Sequence, residues 1–261
     1  MKTAQALPEH EVTRTSVEAL LPMREEYRRA MGCQIVHDSY HERGFTDSYL
    51  LKIDGEVVGY ASVAGDPDPP REIVKELYVT ASHRASLPHL FKALVAAARP
   101  RWIEAQTNDP FLRVPLFDCA TSLRAERILF DDRRTTALEA PGVELRRIAQ
   151  DEKRRVFEHT LVPVGDWALD RDGEVVASGG LLFHYNPPYG DIHMEVAAAY
   201  RGRGYGSYLV QELKRICHGM GRVPAARCNV DNMPSRRTLE RAGMAACGHI
   251  VRGGLPESAG A

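Results

Sequence analysis

The run Val196-Ala197-Ala198-Ala199-Tyr200-Arg201-Gly202-Arg203-Gly204-Tyr205-Gly206 joins a predicted strand, Asp191 to Val196, to a predicted helix from about Gly206 to His218. Glycines at such a junction let the backbone approach a ligand closely and adopt positive φ. The turn then aims unpaired backbone N–H groups and the positive end of a helix dipole at one point, an anion site suited to a pyrophosphate. Arg201 and Arg203 add charge. Two other phosphate loops fail on spelling. A Walker A loop needs Gly-Lys-Ser/Thr, and no lysine follows Gly204 or Gly206. The dinucleotide fingerprint GxGxxG belongs to the first strand of a βαβ unit, whereas these glycines follow strands that read as antiparallel. Taken alone, the run also reads as a glycine-rich turn with solvated arginines.

Beyond this loop the chain repeats itself. Asp-Gly-Glu-Val-Val occurs at Asp54 to Val58 and again at Asp172 to Val176, 118 residues later. Each copy reads as a tight Asp-Gly turn followed by a strand. In the first half, strands are expected at Tyr49 to Ile53, Val57 to Val63 and Glu72 to Val79, with a Pro/Asp-rich loop at Gly65 to Pro70. A helix near Leu87 to Ala98 and a strand at Trp102 to Thr107 follow. In the second half, strands are expected at Trp167 to Leu169, Val175 to Phe183 and, after the turn Asn186-Pro187-Pro188, at Asp191 to Val196. The helix, a strand at Ala225 to Asn229 and a helix at Pro234 to Ala242 complete the order. Leu77-Tyr78-Val79 sits opposite Met194-Glu195-Val196, and Asn108-Asp109-Pro110 opposite Asn232-Met233-Pro234. The same order in both halves implies a tandem duplication. Its junction falls near Leu138 to Val143, giving domains over residues 1–139 and 140–261.

The remaining features bound the answer. A chain of 261 residues with 44% hydrophobic and 26% charged residues is that of a soluble globular protein of one or two domains. A formal net charge of −1 leaves no case for nucleic-acid or acidic-membrane binding. No apolar run reaches the ~20 residues that span a bilayer. Met1 to Ala30 lacks the apolar stretch of a secretory signal, so the expected location is cytoplasmic. The five cysteines, Cys33, Cys119, Cys217, Cys228 and Cys247, contain no CxxC pair and indicate neither a zinc site nor a disulfide scaffold. His37 and His41 have metal-ligand spacing, but two solvated histidines on an amphipathic helix is the preferred reading, and no metal is expected. A helix from about Ser16 to Met31 carries a packing face of Val17, Leu20, Leu21 and Tyr27, with Pro22 kinking it or marking its start.

Arg201-x-x-Gly204-x-Gly206 after a strand ending in valine resembles the coenzyme-A pyrophosphate motif of the GNAT acyltransferase superfamily. Asn229-Val-Asp-Asn232-Met-Pro-Ser235 and the helix running to Gly243-Met244 resemble its second cofactor segment, with Met244 in place of the usual aromatic. The resemblance covers roughly Leu161 to Gly248. It implies an α/β (α+β type) fold of two tandem GNAT-like domains, each a mixed, mostly antiparallel sheet flanked by helices.

By that resemblance, acetyl-CoA is the co-substrate and a small-molecule or peptide amine the acceptor. Main-chain groups at Met194 to Ala198, Val196 among them, would hold the pantetheine and polarise the thioester. Backbone N–H groups of Arg201, Gly202, Arg203, Gly204, Tyr205, Gly206 and Ser207 would hold the pyrophosphate. Asn229, Asn232 and Ser235 would line the cofactor's other side. Glu195 and His193 are the candidate bases, with Tyr185, Tyr189 and Asp191 in reserve. Strand alternation turns both away from a slot faced by Met194 and Ile192, unless a bulge near Val196 reverses the parity; a surface carboxylate and a packed histidine are the alternatives. The position where many family members carry a proton-donating tyrosine is Leu239. An N-acyltransferase is therefore one reading and a catalytically silent acyl-CoA sensor or scaffold the other. The first copy reads Arg84-Ala-Ser-Leu-Pro88-His89 where the second has its glycines, with Leu87 expected to fill the phosphate's space. One cofactor per chain follows.

Overall fold

The computed structural model describes residues 8–35, 37–65, 70–153, 156, 164–184 and 186–256. In chain order the strands are β1 (His10–Thr15), β2 (Thr46–Ile53), β3 (Glu56–Ala64), β4 (Ile73–Val79), β5 (Trp102–Gln106) and β6 (Ser122–Asp132). They continue with β7 (Glu144–Arg147), β8 (Trp167–Arg171), β9 (Glu174–Leu182), β10 (Tyr189–Val196), β11 (Val223–Asn229) and β12 (Met244–Gly254). The helices are α1 (Leu21–Met31), α2 (Asp38–Glu42), α3 (Leu87–Ala98), α4 (Arg113–Cys119), α5 (Tyr205–Gly219) and α6 (Met233–Arg241). The fold is mixed α/β, with mostly antiparallel sheet flanked by helices.

Two compact units form. The first comprises Met1–Glu126 with His249–Ala261, the second Arg127–Gly248. In the first, strands lie in the order β1-β2-β3-β4-β5-β12; in the second, β7-β8-β9-β10-β11-β6. The sixth place in each is filled from the other half of the sequence. Residues Ile250 to Gly254 of β12 pair antiparallel with β5, and Arg127 to Asp131 of β6 pair antiparallel with β11.

The Asp-Gly turns explain the hairpins. Asp54 and Gly55 have φ 49° and 82°, and Asp172 and Gly173 have 55° and 80°. Two consecutive left-handed residues are what a type I′ turn requires, and its twist matches the flanking strands. Each hairpin also carries a register shift at the same place, between Leu51 and Lys52 and between Leu169 and Asp170, again 118 residues apart.

Helix α3 buries Leu87, Leu90, Phe91 and Leu94, and α5 buries Leu209, Leu213 and Cys217, the spacing of one helix face. Leu77, Leu90 and Ile103 belong to the first core, and Ile192, Leu209 and Ala226 to the second.

Four expectations change. The segment from Ser16 is a 3₁₀ turn, Glu18–Leu20, before α1, so Pro22 marks a helix start, where its missing N–H costs nothing. Leu87 is buried in the core of α3 and does not fill the turn before it. His41 is not solvated: it is buried and its Nε2 lies 3.1 Å from Glu76. Strands β1, β6, β7 and β12 fall outside the strands read from the sequence.

Candidate functional site

In the second unit, β10 and β11 run parallel and pair only at Tyr189–Val223, Gly190–Pro224 and Asp191–Ala225. Beyond that, β10 stays with β9 through Val196 while β11 stays with β6 through Asn229. The two parallel strands therefore part and leave a slot. The N–H of Ala197 donates to Val176 O on the β9 side at 3.0 Å. By antiparallel alternation, the main-chain groups of Met194 and Val196 point the other way, into the slot.

The loop closing the slot is built as its glycines require. Ala198–Tyr200 forms a 3₁₀ turn and Arg201 is extended. Gly202 and Gly204 have φ 79° and 89°, and Gly204 is the N-cap of α5, with no side chain capping the helix. The free N–H groups of the first turn of this 15-residue helix are left for a ligand. A β-carbon on Gly202 would meet nothing within 4 Å, so the loop backbone is open to an approaching group. This cradle fits a pyrophosphate.

Arginines frame it. Arg201 folds back, its Nε donating to Val196 O at 3.1 Å and its guanidinium 3.8 Å from Glu195. Arg203 donates to Ala199 O at 3.3 Å and lies over the Tyr200 ring at 5.1 Å. Sequence reading did not single out Arg241, whose guanidinium at the end of α6 comes within 3.8 Å of where a β-carbon on Gly204 would stand. The tertiary approach of α6 to the loop has no local signature.

The other expected cofactor residues divide. Ser207 is buried in the first turn of α5. The Tyr205 side chain is turned into the core and its hydroxyl accepts from Arg171 at 2.6 Å, which leaves its backbone to the loop. Asn229 is exposed at the end of β11. Asn232 caps α6: its Oδ1 accepts from the Ser235 N–H at 3.1 Å. Burial raises the thiol of Cys228 above its ordinary range, while a hydrogen bond from Ser235 pulls it down. Leu239 is 5% exposed and packs in the second core.

The candidate bases share one face. Pairing from Asp191–Leu182 to Val196–Ala177 runs without a register shift, so no bulge reverses the parity there. Met194 and Val196 reach toward Gly206 of α5. His193 and Glu195 project from the opposite face, the His193 Nε2 lying 3.2 Å from where a β-carbon on Gly180 would stand. Glu195 is 8% exposed, which rules out a solvated surface carboxylate. Asp191, also buried, lies 3.3 Å from His184 Nε2. Tyr189 begins β10, and Tyr185 lies outside the described residues.

The first unit parts its strands in the same way: β4 and β5 pair only at Ile73–Trp102 and Val74–Ile103. There Gln106 takes both main-chain groups of Ile35, accepting at 3.1 Å and donating at 3.0 Å, so residues of the chain itself occupy the opening. A 3₁₀ turn, Ala81–Ser86, replaces the glycine loop, and Ser86 before α3 is right-handed. Glu76 on β4 is wholly buried and accepts from Arg24, His41 and Tyr60, with Arg24 Nη2 at 2.9 Å.

Residues 128–244 match the acetyltransferase (GNAT) family. The fold is shared with solved proteins at low identity. An acetyltransferase from the GNAT family of Colwellia psychrerythraea is 13% identical, with a TM-score of 0.77 over 94% of this chain and 100% of its own. A tandem GNAT protein from the clavulanic acid biosynthesis pathway, solved without AcCoA, is 13% identical, with a TM-score of 0.65 over 97% and 100%. A GCN5-related N-acetyltransferase from Sphaerobacter thermophilus is 15% identical, with a TM-score of 0.59 over 97% and 98%. No curated protein matches the chain. Among the described residues no helix is long and apolar enough to cross a membrane.

Proposed function

We propose that the chain is an acyl-CoA-dependent N-acyltransferase, moving acetyl from acetyl-CoA to a primary amine of a small molecule or peptide in the cytoplasm. The observation that carries this reading is the pair of left-handed glycines, Gly202 and Gly204, at the uncapped start of α5 beside the parted strands β10 and β11. Acetyl-CoA supplies the activated acyl group. Residues 140–261 carry the cofactor motifs. The N-terminal copy, residues 1–139, serves as support, since its opening is taken by Gln106 and Ile35 and its turn lacks the glycines.

The loop N–H groups and the arginines hold the pyrophosphate, and the slot-facing amides of Met194 and Val196 polarise the thioester carbonyl. The acceptor arrives as an ammonium ion. Its proton passes to Glu195 or His193 on the face opposite α5, breaking N–H and freeing the lone pair. Nitrogen then bonds to the carbonyl carbon and the C–S bond breaks, its electron pair leaving on sulfur. A second nitrogen proton is lost as the amide forms, and the thiolate takes up one proton.

A silent acyl-CoA sensor is the second reading, favoured by one observation: Leu239, buried in the core, cannot protonate a departing thiolate. Calorimetric titration of acetyl-CoA into the wild type and into Gly204→Pro/Gly206→Pro tests cofactor binding. One site per chain, lost in the variant, is expected. Absence of binding to the folded wild type would overturn both readings. Thiol release from acetyl-CoA with mixed primary amines separates enzyme from sensor.

A further inference from the structure

Ser178 on β9 is completely buried, and among the described residues its Oγ has no hydrogen-bond partner. A buried hydroxyl without a protein partner is costly, so native chains rarely keep one without a use for the group. Its place shows the use. Ser178 pairs directly with Glu195 across the β9–β10 ladder. The neighbouring Gly179 points its Cα–H toward Met194 and Leu213 of α5, so Ser178 points to the other face, with Glu195 and His193. On that face Ala168 of β8 is the far neighbour of Ser178, and it is apolar. Among the described residues, the Arg201 guanidinium lies 3.8 Å from Glu195, and His193, two residues earlier, projects from the same face.

The first unit also sets a hydroxyl at this place of the ladder against a buried carboxylate, at a different position of the next strand. Tyr60, 118 residues before Ser178, occupies the matching place on β3 and pairs with Tyr78 as Ser178 pairs with Glu195. The Tyr60 hydroxyl donates to a buried carboxylate of the next strand, Glu76, at 3.1 Å, and Glu76 stands where the second unit has His193. Direct opposition on one face of the ladder sets the Ser178 side chain beside that of Glu195.

We infer that Ser178 is a positioning residue for Glu195: its hydroxyl donates to the Glu195 carboxylate and holds it as the base that takes the acceptor's proton. This inference rests on the N-acyltransferase reading. A hydroxyl donor favours the charged carboxylate, so it extends the working range of the base toward lower pH. In Ser178→Ala the acid limb of the kcat/KM profile moves up by about one pH unit, a roughly tenfold loss of rate on that limb.

The test follows thiol release from acetyl-CoA with mixed primary amines from pH 5 to 9. The variants are Ser178→Ala, Ser178→Thr, Glu195→Gln and Ser178→Ala/Glu195→Gln. The expected result is an upward limb shift in Ser178→Ala, recovery in Ser178→Thr, and no further change when Ser178→Ala is added to Glu195→Gln. Acetyl-CoA affinity and thermal midpoint should hold or rise in Ser178→Ala, since the hydroxyl makes no other hydrogen bond among the described residues, which separates this role from a structural one. An unmoved limb in Ser178→Ala, or an equal loss in the Glu195→Gln background, would overturn the role of Ser178 alone. A wild type that binds acetyl-CoA and releases no thiol would overturn the enzyme reading and this inference with it.

Discussion

The methyl carbon of Met194 lies 2.7 Å from where a β-carbon on Gly206 would stand, so the first turn of α5 meets β10 with no side chain on the helix side. The same point lies 3.1 Å from Thr238 and 3.3 Å from Val196. The close approach keeps the helix N-terminus beside the strand whose main chain faces the slot.

Gly206→Ala and Gly206→Val therefore differ. A methionine methyl can swing aside, and alanine gains up to ~1 kcal/mol of helix propensity, so Gly206→Ala stays within about 1 kcal/mol of wild type. Valine presses additional methyls on Thr238 and Val196 and costs about 1–3 kcal/mol by overpacking. Urea unfolding midpoints measure both, and equal midpoints for the two variants would contradict the contact.

Gly243, where α6 gives way to β12, has φ 88°, and a β-carbon there would lie 2.1 Å from the carbonyl oxygen of Arg134. That oxygen is backbone and is held by Lys214 Nζ at 2.7 Å, so it cannot yield as a side chain does. Gly243→Ala is expected to lose at least about 2 kcal/mol of stability, from left-handed strain and the clash together. A thermal midpoint equal to that of wild type would refute this.

Glu76 is the acceptor for Arg24, itself buried, and the two form a bidentate pair at 3.0 and 2.9 Å. Burial works to raise the Glu76 carboxyl, but hydrogen bonds from His41 and Arg24 and the Arg24 charge hold it far below the usual range. Glu76→Gln removes the buried countercharge and leaves Arg24 with Asp38 at 2.9 Å as its remaining carboxylate, and it is expected to cost about 3–5 kcal/mol. Arg24→Met with Glu76→Leu should recover only part of the loss, since buried His41 and Tyr60 also lose their acceptor, and a double variant no more stable than Glu76→Gln would refute the charge pairing as the cause.

Asp109 supplies the pH dependence. Burial pushes its carboxyl up to about 6, against the pull of hydrogen bonds from the N–H groups of Phe111 and Leu112. Between pH 4 and 6 the folded chain keeps a proton that the unfolded chain has released, so stability from this group falls as pH rises through that window. An asparagine side chain in its place would keep the acceptor oxygen without the charge. Asp109→Asn is thus expected to exceed wild type by up to about 3 kcal/mol at pH 8 and by little near pH 4. Denaturant midpoints across this range decide it, and a gain independent of pH would rule out ionisation as the cause.

What could be read in advance follows from how local the cause is. The Asp-Gly turns and the glycine loop were legible because their backbone conformations are ones that few other residues adopt, and φ at Asp54, Asp172, Gly202 and Gly204 is positive. Strands β1 and β7, His10–Thr15 and Glu144–Arg147, were not, because they are polar edge strands without an apolar alternation. His41 looked solvated because Glu76, which satisfies it, lies 35 residues away on another element. Ser178 and Arg241 gain their meaning only from strand register and from the approach of α6 to the loop, neither of which any short stretch of sequence encodes.

Because β12 completes the first unit and β6 the second, the order of synthesis bears on how each sheet is completed. A ribosome releases residues 1–126 long before residues 249–254, so β5 waits with an open edge until the last strand has been made. The partner for β11 is the reverse: β6 is synthesised first and stands ready as a template. Either half produced alone would leave a strand edge bare, and the nearest cure for a bare edge is another molecule. Cutting the gene at the repeat therefore does not yield two working pieces, but two that seek each other or themselves.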